Sequence, residues 1–321
     1  MTEAMREPPI VVVALGGHAF MSSGEDAKVE IYEKRAAQIC EQLMTLVGRN
    51  YNLVITHGNG PQVGNLLLKD EFAREKFPAD PLDVLVARTQ GDLGYILQQA
   101  MLNMLRRKQL GRYVVTFVTQ VVVNTADPAF REPSKPIGPY FTEKEAKQRR
   151  KELGWEVVHQ KKRGWRRLVP SPQPLKVIQW DTIRLTAKQG HVVIACGGGG
   201  IPVAKGTKGE FEGVEAVVDK DLTSSVLATQ IGAELLVILT DVPEVYLDFG
   251  GENQRGLTAL TIQETEGYIR DGQFPKGSMG PKVQAILSFL KAGGKRGLIT
   301  TPDRLQDALD GRSGTHFVGR I

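Results

Sequence analysis

The 321-residue chain is short of cysteine, of long apolar runs and of the lysine that usually backs a phosphate-binding glycine loop. Each shortage excludes something. Its two cysteines are Cys40, on the apolar face of an expected helix, and Cys196, at the end of an expected strand. Both read as small core residues, which disfavours a disulfide framework, a thiolate metal site and thiol catalysis. No apolar stretch approaches the roughly 18 residues of a membrane span. The opening MTEAMREPP is polar, carries acids and lacks an apolar core, so it resembles neither a secretory signal nor a transit peptide. A cytoplasmic location is expected.

Familiar nucleotide machinery is missing as well. A Walker loop needs GxxxxGK followed by Ser or Thr, and nothing fits. The dinucleotide fingerprint GxGxxG is also absent: GNGPQVG has one residue too many before its last glycine, and LGGHAF lacks a third glycine. Dehydrogenases, P-loop enzymes and protein kinases are therefore disfavoured.

Charge is unevenly spread. Of the net +5, residues 142–167 supply +6, from ten Lys/Arg against four acids, which leaves −1 for everything else. Such a run reads first as a solvated face on an excursion from the core. A basic flap that draws in a small anion is the sharper alternative, and nucleic-acid binding ranks last because no regular aromatic-basic interleaving accompanies the run.

What the chain does have is a repeated grammar of apolar β-branched run, glycines, then a segment of helical period. IVVVALGG leads to a helix with Ala36, Ile39, Cys40, Leu43 and Val47 at helical spacing. YNLVITHGNGPQVG, GRYVVTFVTQVVV, GHVVIACGGGG and AELLVILTDV continue the pattern, and KRGLIT is expected to close it. Alternating strands and helices predict an α/β fold with a mostly parallel central sheet covered by helices on both faces. In such sheets ligands gather beyond the carboxyl ends of the strands, which is where the glycine clusters fall. Residues 125–174, rich in Pro and charge, read as an inserted subdomain. The stretch from Leu82 to Arg107 reads as a long helix with Leu93, Leu97, Ala100 and Met104 in one stripe, buried against the sheet or held for a dimer.

Three lysines answer the missing cation. Lys282 follows Gly280 and Pro281 at the expected start of a helix, where free N–H groups favour phosphate. Lys220, flanked by Asp219 and Asp221, stands at a strand-to-helix junction; Asp221 reads as an N-cap, or as the carboxylate that fixes the lysine. Lys135, held between Pro133 and Pro136 in PSKPIGP, is presented stiffly from a loop.

Taken in order, LGGHAF, HGNGPQVG, QGDLGY, KPIGPYF, RRLVPSPQP, GGGGIPV, GVEAVVDKDL, LTDV and GSMGPKV resemble carbamate kinases of the amino-acid-kinase family from end to end. The resemblance implies one amino-acid-kinase domain over 1–321, a three-layer sandwich. Residues 8–212 would hold the acid and phosphoryl group, with the insert at 125–174, and 213–321 the nucleotide. It implies a cytoplasmic homodimer in arginine metabolism that transfers a phosphoryl group between ATP and carbamate. Mg²⁺ would be held mainly through the nucleotide phosphates, with no metal site of the protein's own and no nucleic acid or membrane partner. Lys135, Lys220, Asp221 and Lys282 would be catalytic. Gly16, Gly17, His18, Gly58, Asn59, Gly60, Gly198 and Gly199 would surround the phosphoryl group and the acid. Asp219, Thr240, Asp241, Tyr246, Lys276, Ser278, Met279 and Gly280 would line the nucleotide pocket.

One position departs from the pattern. The family's first loop usually reads GGNA, whereas this chain carries His18. A neutral imidazole still donates one hydrogen bond, and a protonated one adds charge. Three readings stand: a tolerated exchange, a different small acid as substrate, or a nucleotide-binding protein of reduced activity.

Overall fold

The structure, a computed structural model, describes residues 7–16, 20, 28–160, 164–275 and 277–319. Its central sheet has eight strands in the order Ala259–Thr261, Thr315–Val318, Arg296–Thr300, Leu235–Leu239, Ile10–Leu15, Asn52–His57, Val192–Ile194, Val114–Thr116. From Arg296–Thr300 to Val114–Thr116 all neighbours pair in parallel. Thr315–Val318 runs antiparallel to Arg296–Thr300 and carries Ala259–Thr261 alongside it.

Ile10–Leu15 is buried at all six positions, as expected of a central parallel strand covered on both sides. Its alternate residues face opposite layers. Val11, Val13 and Leu15 pack with Leu43 and Leu46 of helix Val29–Gly48 and with Leu93 and Leu97 of helix Leu82–Arg107. Ile10, Val12 and Ala14 pack with Ile183 of helix Trp180–Lys188, Leu227 of helix Lys220–Gln230 and Ile286 of helix Met279–Lys291. Because these strands run the same way, the turns after Leu15, His57, Ile194, Leu239 and Thr300 all open on one edge. The stripe on the long helix is core: Leu93 and Leu97 are buried, and Ala100 and Met104 pack against the same cluster.

Two strand expectations change. GRYVVTFVTQVVV is not one strand: Val114–Thr116 stays in the central sheet, while Gln120–Val122 joins a second sheet with Phe211–Gly213, Ile201–Lys205 and Lys176–Val177. KRGLIT does not close the series either, since Ala259–Thr261 and Thr315–Val318 extend the sheet beyond it. Both are only three or four residues long, too short for a periodic signal.

Between residues 135 and 169 the chain builds an antiparallel sheet of Lys135–Phe141, Gly164–Val169 and Glu156–Gln160. Helix Glu143–Leu153 joins its strands and starts with a capping box of Thr142 and Glu145. Much of the local positive charge is engaged within the chain. Arg149 pairs with Glu71 at 2.6 Å and lies 4.1 Å from the centre of the Phe141 ring. Arg167 faces Glu215 and stacks over Trp155. Lys161, Lys162 and Arg163 lie outside the described residues.

This subdomain rests on helix Gly60–Ala73 by backbone contact. A Cβ on Gly64 would stand 2.8 Å from the Cα of Gly138, which itself has a left-handed φ of 76°. Gly64→Ala must therefore push helix and subdomain apart. It should cost about 1–3 kcal/mol and speed proteolytic cleavage within 135–169; unchanged melting and cleavage would show that the two are not seated on each other.

Candidate functional site

The second strand ends at His57, and the Gly58 N–H donates back to the Leu15 carbonyl at 3.1 Å, drawing the first two glycine turns together. Helix Gly60–Ala73 starts directly after Asn59, with Pro61 in its first turn. Its leading N–H groups have no intrahelical acceptors and form a ready anion seat. The Asn59 side chain is not turned to that seat. It is buried, and its Nδ2 donates to Thr89 Oγ1 at 2.7 Å. A third wall is the turn at Gly197–Gly199, where Cys196, Gly198, Gly199 and Gly200 all have φ between 53° and 90°. A Cβ at Gly198 would stand 2.2 Å from Asn59 Nδ2, and one at Gly199 the same distance from the Val218 carbonyl oxygen. Only glycine lets these turns meet.

Cations converge beside this cradle. Lys220 opens helix Lys220–Gln230 and Lys282 lies in the first turn of helix Met279–Lys291. Both bond the carboxylate of Asp221: Lys220 to Oδ1, and Lys282 to Oδ2 at 2.9 Å. Asp221 is not the N-cap. Asp219 is, accepting from the Asp221 and Leu222 N–H groups through Oδ1. Its other oxygen, Oδ2, accepts from Lys135 Nζ at 2.8 Å. Lys135 is thus the first residue of a strand rather than part of a loop, and it reaches across from the insert. Three amines from distant parts of the chain meet two adjacent carboxylates, leaving one positive charge in excess.

Burial shapes this cluster. For Asp221 it favours the neutral acid, yet Lys220 and Lys282 together overcome that and hold the carboxyl down at about 2. Burial lowers the Lys220 amine, with Asp221 opposing and Lys282 reinforcing the drop. At Lys282 burial also pulls down, but Asp221, Asp219 and Asp241 outweigh it and the amine ends above its ordinary value. Removing Asp221 would leave two buried ammonium groups facing each other.

Sequence reasoning passed over His57. Its ring is buried and its Nδ1 lies 3.1 Å from the Gly58 carbonyl oxygen, a contact that suits the Nδ1–H tautomer. Burial, joined by the nearby Lys220 charge, pushes it down to about 4. The signal was available in HGNGPQVG, because a histidine ending a buried strand beside a lysine-rich edge is disfavoured as a cation.

The remaining expected residues are placed as follows. Gly16 follows the first strand, and a Cβ there would meet the Leu239 carbonyl oxygen at 3.5 Å. Thr240 and Asp241 line, with Gly16, Arg35, Gln38 and Thr301, a cavity of about 800 Å³ on the side of helix Val29–Gly48. Ser278 immediately precedes helix Met279–Lys291 without a side-chain capping bond, and Gly280 comes so close to Pro275 that a Cβ would lie 2.9 Å from its oxygen. Tyr246 sits half-buried in a hairpin, its ring 5.9 Å from that of Phe249. Gly17, His18 and Lys276 lie outside the described residues. The thiols fit core roles: burial pushes Cys40 up to about 12 and Cys196 higher still. Among the described residues no helix is long and apolar enough to cross a membrane.

A glycine-lined anion seat facing an array of amines suits transfer of a phosphoryl group between two anionic partners. The sequence profile described as the amino acid kinase family matches residues 9–301. A carbamate kinase of Pyrococcus horikoshii is 44% identical over 310 residues, covering 96% of this chain and 98% of its own length. The carbamate kinase-like protein YahI of Escherichia coli is 41% identical, covering 96% and 98%. Among solved structures, carbamate kinase from Giardia lamblia bound to AMP-PNP superposes with a TM-score of 0.91 at 37% identity, covering 97% of this chain and 99% of that one.

His57 makes folding pH-sensitive in a definite direction. Its folded value, about 4, lies below its ordinary 6.5, so the unfolded chain binds the extra proton between them. Stability is complete above pH 6.5 and falls as the pH drops towards 4, by about 3 kcal/mol in all. Thermal melts across that window should show the decline in the wild type and a flatter profile in His57→Gln; equal slopes would refute a neutral buried imidazole.

Proposed function

The chain belongs to the amino acid kinase family, and from that premise we propose that it is a carbamate kinase, moving a phosphoryl group reversibly between ATP and carbamate. The observation that carries the chemistry is the meeting of Lys135, Lys220 and Lys282 around Asp219 and Asp221. Full-length likeness to carbamate kinases supports the identity of the acceptor.

In the ATP-forming direction an oxygen of the ADP β-phosphate bonds the phosphorus of carbamoyl phosphate, and the bond from phosphorus to the carbamate oxygen breaks. Carbamate leaves, and no proton is required for the balance. Two anions must come into line at close range, and the chain's part is placement and charge neutralisation. The N–H groups of the 58–60 and 197–199 turns seat the acid and the moving phosphoryl group. Lys135 reaches in from the insert, Lys220 and Lys282 draw on the nucleotide phosphates, and Asp221 keeps the two amines apart at fixed spacing. By the family resemblance, Gly16, with Gly17 and His18, would surround the same group from the first loop.

Thr240, Asp241, Tyr246 and the 276–280 turn receive the nucleotide in this reading. Residues 8–212, with the insert at 125–174, serve the acid and phosphoryl group, and 213–321 serve the nucleotide. Mg²⁺ rides on the nucleotide: both carboxylates at the site already accept from lysines, and among the described residues no cluster of His, Cys, Asp and Glu forms a metal cage. When bound, it would supply positive charge to offset that of the phosphates. The reading extends to a cytoplasmic homodimer in arginine metabolism. Exposed Tyr95, Tyr113 and Val118 near the edge strand Val114–Thr116 offer a surface for the second copy.

Purified protein should make ATP from ADP and carbamoyl phosphate in a coupled assay. Lys135→Ala, Lys220→Ala and Lys282→Ala should each lower kcat by about 10²–10³-fold. No turnover between pH 6 and 9 would reject the assignment. His18→Asn alongside, with ADP release measured over a panel of small acids, separates a different acceptor from a site that binds without transfer.

A further inference from the structure

QGDLGY lies on the long helix Leu82–Arg107. Leu93 belongs to the core and Gly94 passes so close to Thr116 that a Cβ would stand 2.4 Å from its Cγ2. Gln90 and the preceding Thr89 do something different. Each is a buried polar residue bonded to a turn of the anion seat.

Thr89 Oγ1 accepts from Asn59 Nδ2 at 2.7 Å and donates to the Val86 carbonyl at 2.7 Å. The threonine therefore ties the Asn59 side chain to the body of the helix. Gln90 Nε2 donates to the Gly197 carbonyl at 3.0 Å and to the Thr119 carbonyl at 3.1 Å, while its Oε1 accepts from the Thr119 N–H at 2.7 Å. Thr119 in turn accepts the Cys196 N–H on Oγ1 at 3.1 Å. From the other layer, Thr223 Oγ1 donates to the Gly199 carbonyl at 2.8 Å. Carbonyls of the glycine turn are thereby held back into the protein, in a stretch whose left-handed residues would not keep this shape unaided. A Cβ on Gly197 would stand 2.7 Å from the His57 ring and 3.0 Å from Gln90 Cγ, so the clamp closes on glycine alone.

We propose that Thr89 and Gln90 are positioning residues for the acid half of the reaction: side by side on one rigid helix, they set the spacing of the 58–60 and 197–199 turns that receive the carbamoyl phosphate end. The assignment of the acid to those turns rests on the carbamate kinase reading. Neither side chain touches substrate. Their influence falls on the acid side, since Thr89 bonds Asn59 and Gln90 bonds Gly197, whereas Lys220 and Lys282 are held by Asp221.

Thr89→Val keeps the volume and removes the hydroxyl, Thr89→Ser keeps the hydroxyl, and Gln90→Met empties the clamp. Thr89→Val should raise the KM for carbamoyl phosphate about tenfold, with the KM for ADP within about twofold of wild type and Thr89→Ser close to wild type. Hydrogen exchange without any ligand should speed up at 58–60 in Thr89→Val and at 196–200 in Gln90→Met. A folded Thr89→Val protein with both KM values unchanged, or with both raised equally, overturns the proposal. So does a Thr89→Val protein that fails to fold, because the residue is then a fold determinant. If Gln90→Met does not fold, the threonine pair decides. Wild-type protein without turnover rejects the carbamate kinase reading, and hydrogen exchange then decides positioning by itself.

Discussion

The site depends on one carboxylate held between two amines. Asp221 is almost completely buried, and the side chains that face it, Lys220 and Lys282, are largely so. Two ammonium groups this close would repel each other and, out of water, would tend to shed a proton. The shared carboxylate removes both difficulties. It allows helices Lys220–Gln230 and Met279–Lys291 to bring their N-terminal ends to the same place. The parallel part of the sheet supplies the frame, because it puts the exits of its six strands on one edge. Asp219 extends the arrangement outward: one oxygen finishes a helix and the other holds Lys135. A chain of alternating charge thus runs from the core to the insert, and an arriving phosphate would enter it as the next anion.

Much of this was legible because its signals are local. Glycines after apolar runs marked the strand exits, and proline and glycine before Lys282 marked a helix start. The long helix could be read from the spacing of Leu93 and Leu97. What stayed hidden is directional. DKD at a junction contains two carboxylates two residues apart, and spacing does not say which one caps and which one bonds the lysines. Only packing decides it, through the burial of Asp221. HGNGPQVG names Asn59 but not the inward turn of its side chain, which depends on Thr89, thirty residues on in the chain. Ala259–Thr261 and Thr315–Val318 were invisible for a different reason: three or four residues carry too little pattern to stand out from a loop.

Charge gave a similar lesson. Counting placed a large positive excess in residues 142–167, and counting could not tell how it is engaged. Arg149 and Arg167 are each bound to a glutamate and laid over an aromatic ring. Glu215 receives Arg167 on one oxygen and the Leu82 N–H on the other, which links the insert to the start of the long helix. The basic segment is therefore partly internal structure, and its outward field is weaker than its composition implies.

Lys135 stands opposite Val169, the last residue of the neighbouring strand, and the Glu156–Gln160 strand pairs on the far side of that neighbour. The ammonium group of Lys135 is tied to Asp219, and Gly138, three residues on in the same strand, lies against Gly64, so the strand that delivers the charge is pinned to the body of the protein at two points. Anchorage and charge supply are thereby joined in a single excursion of the polypeptide.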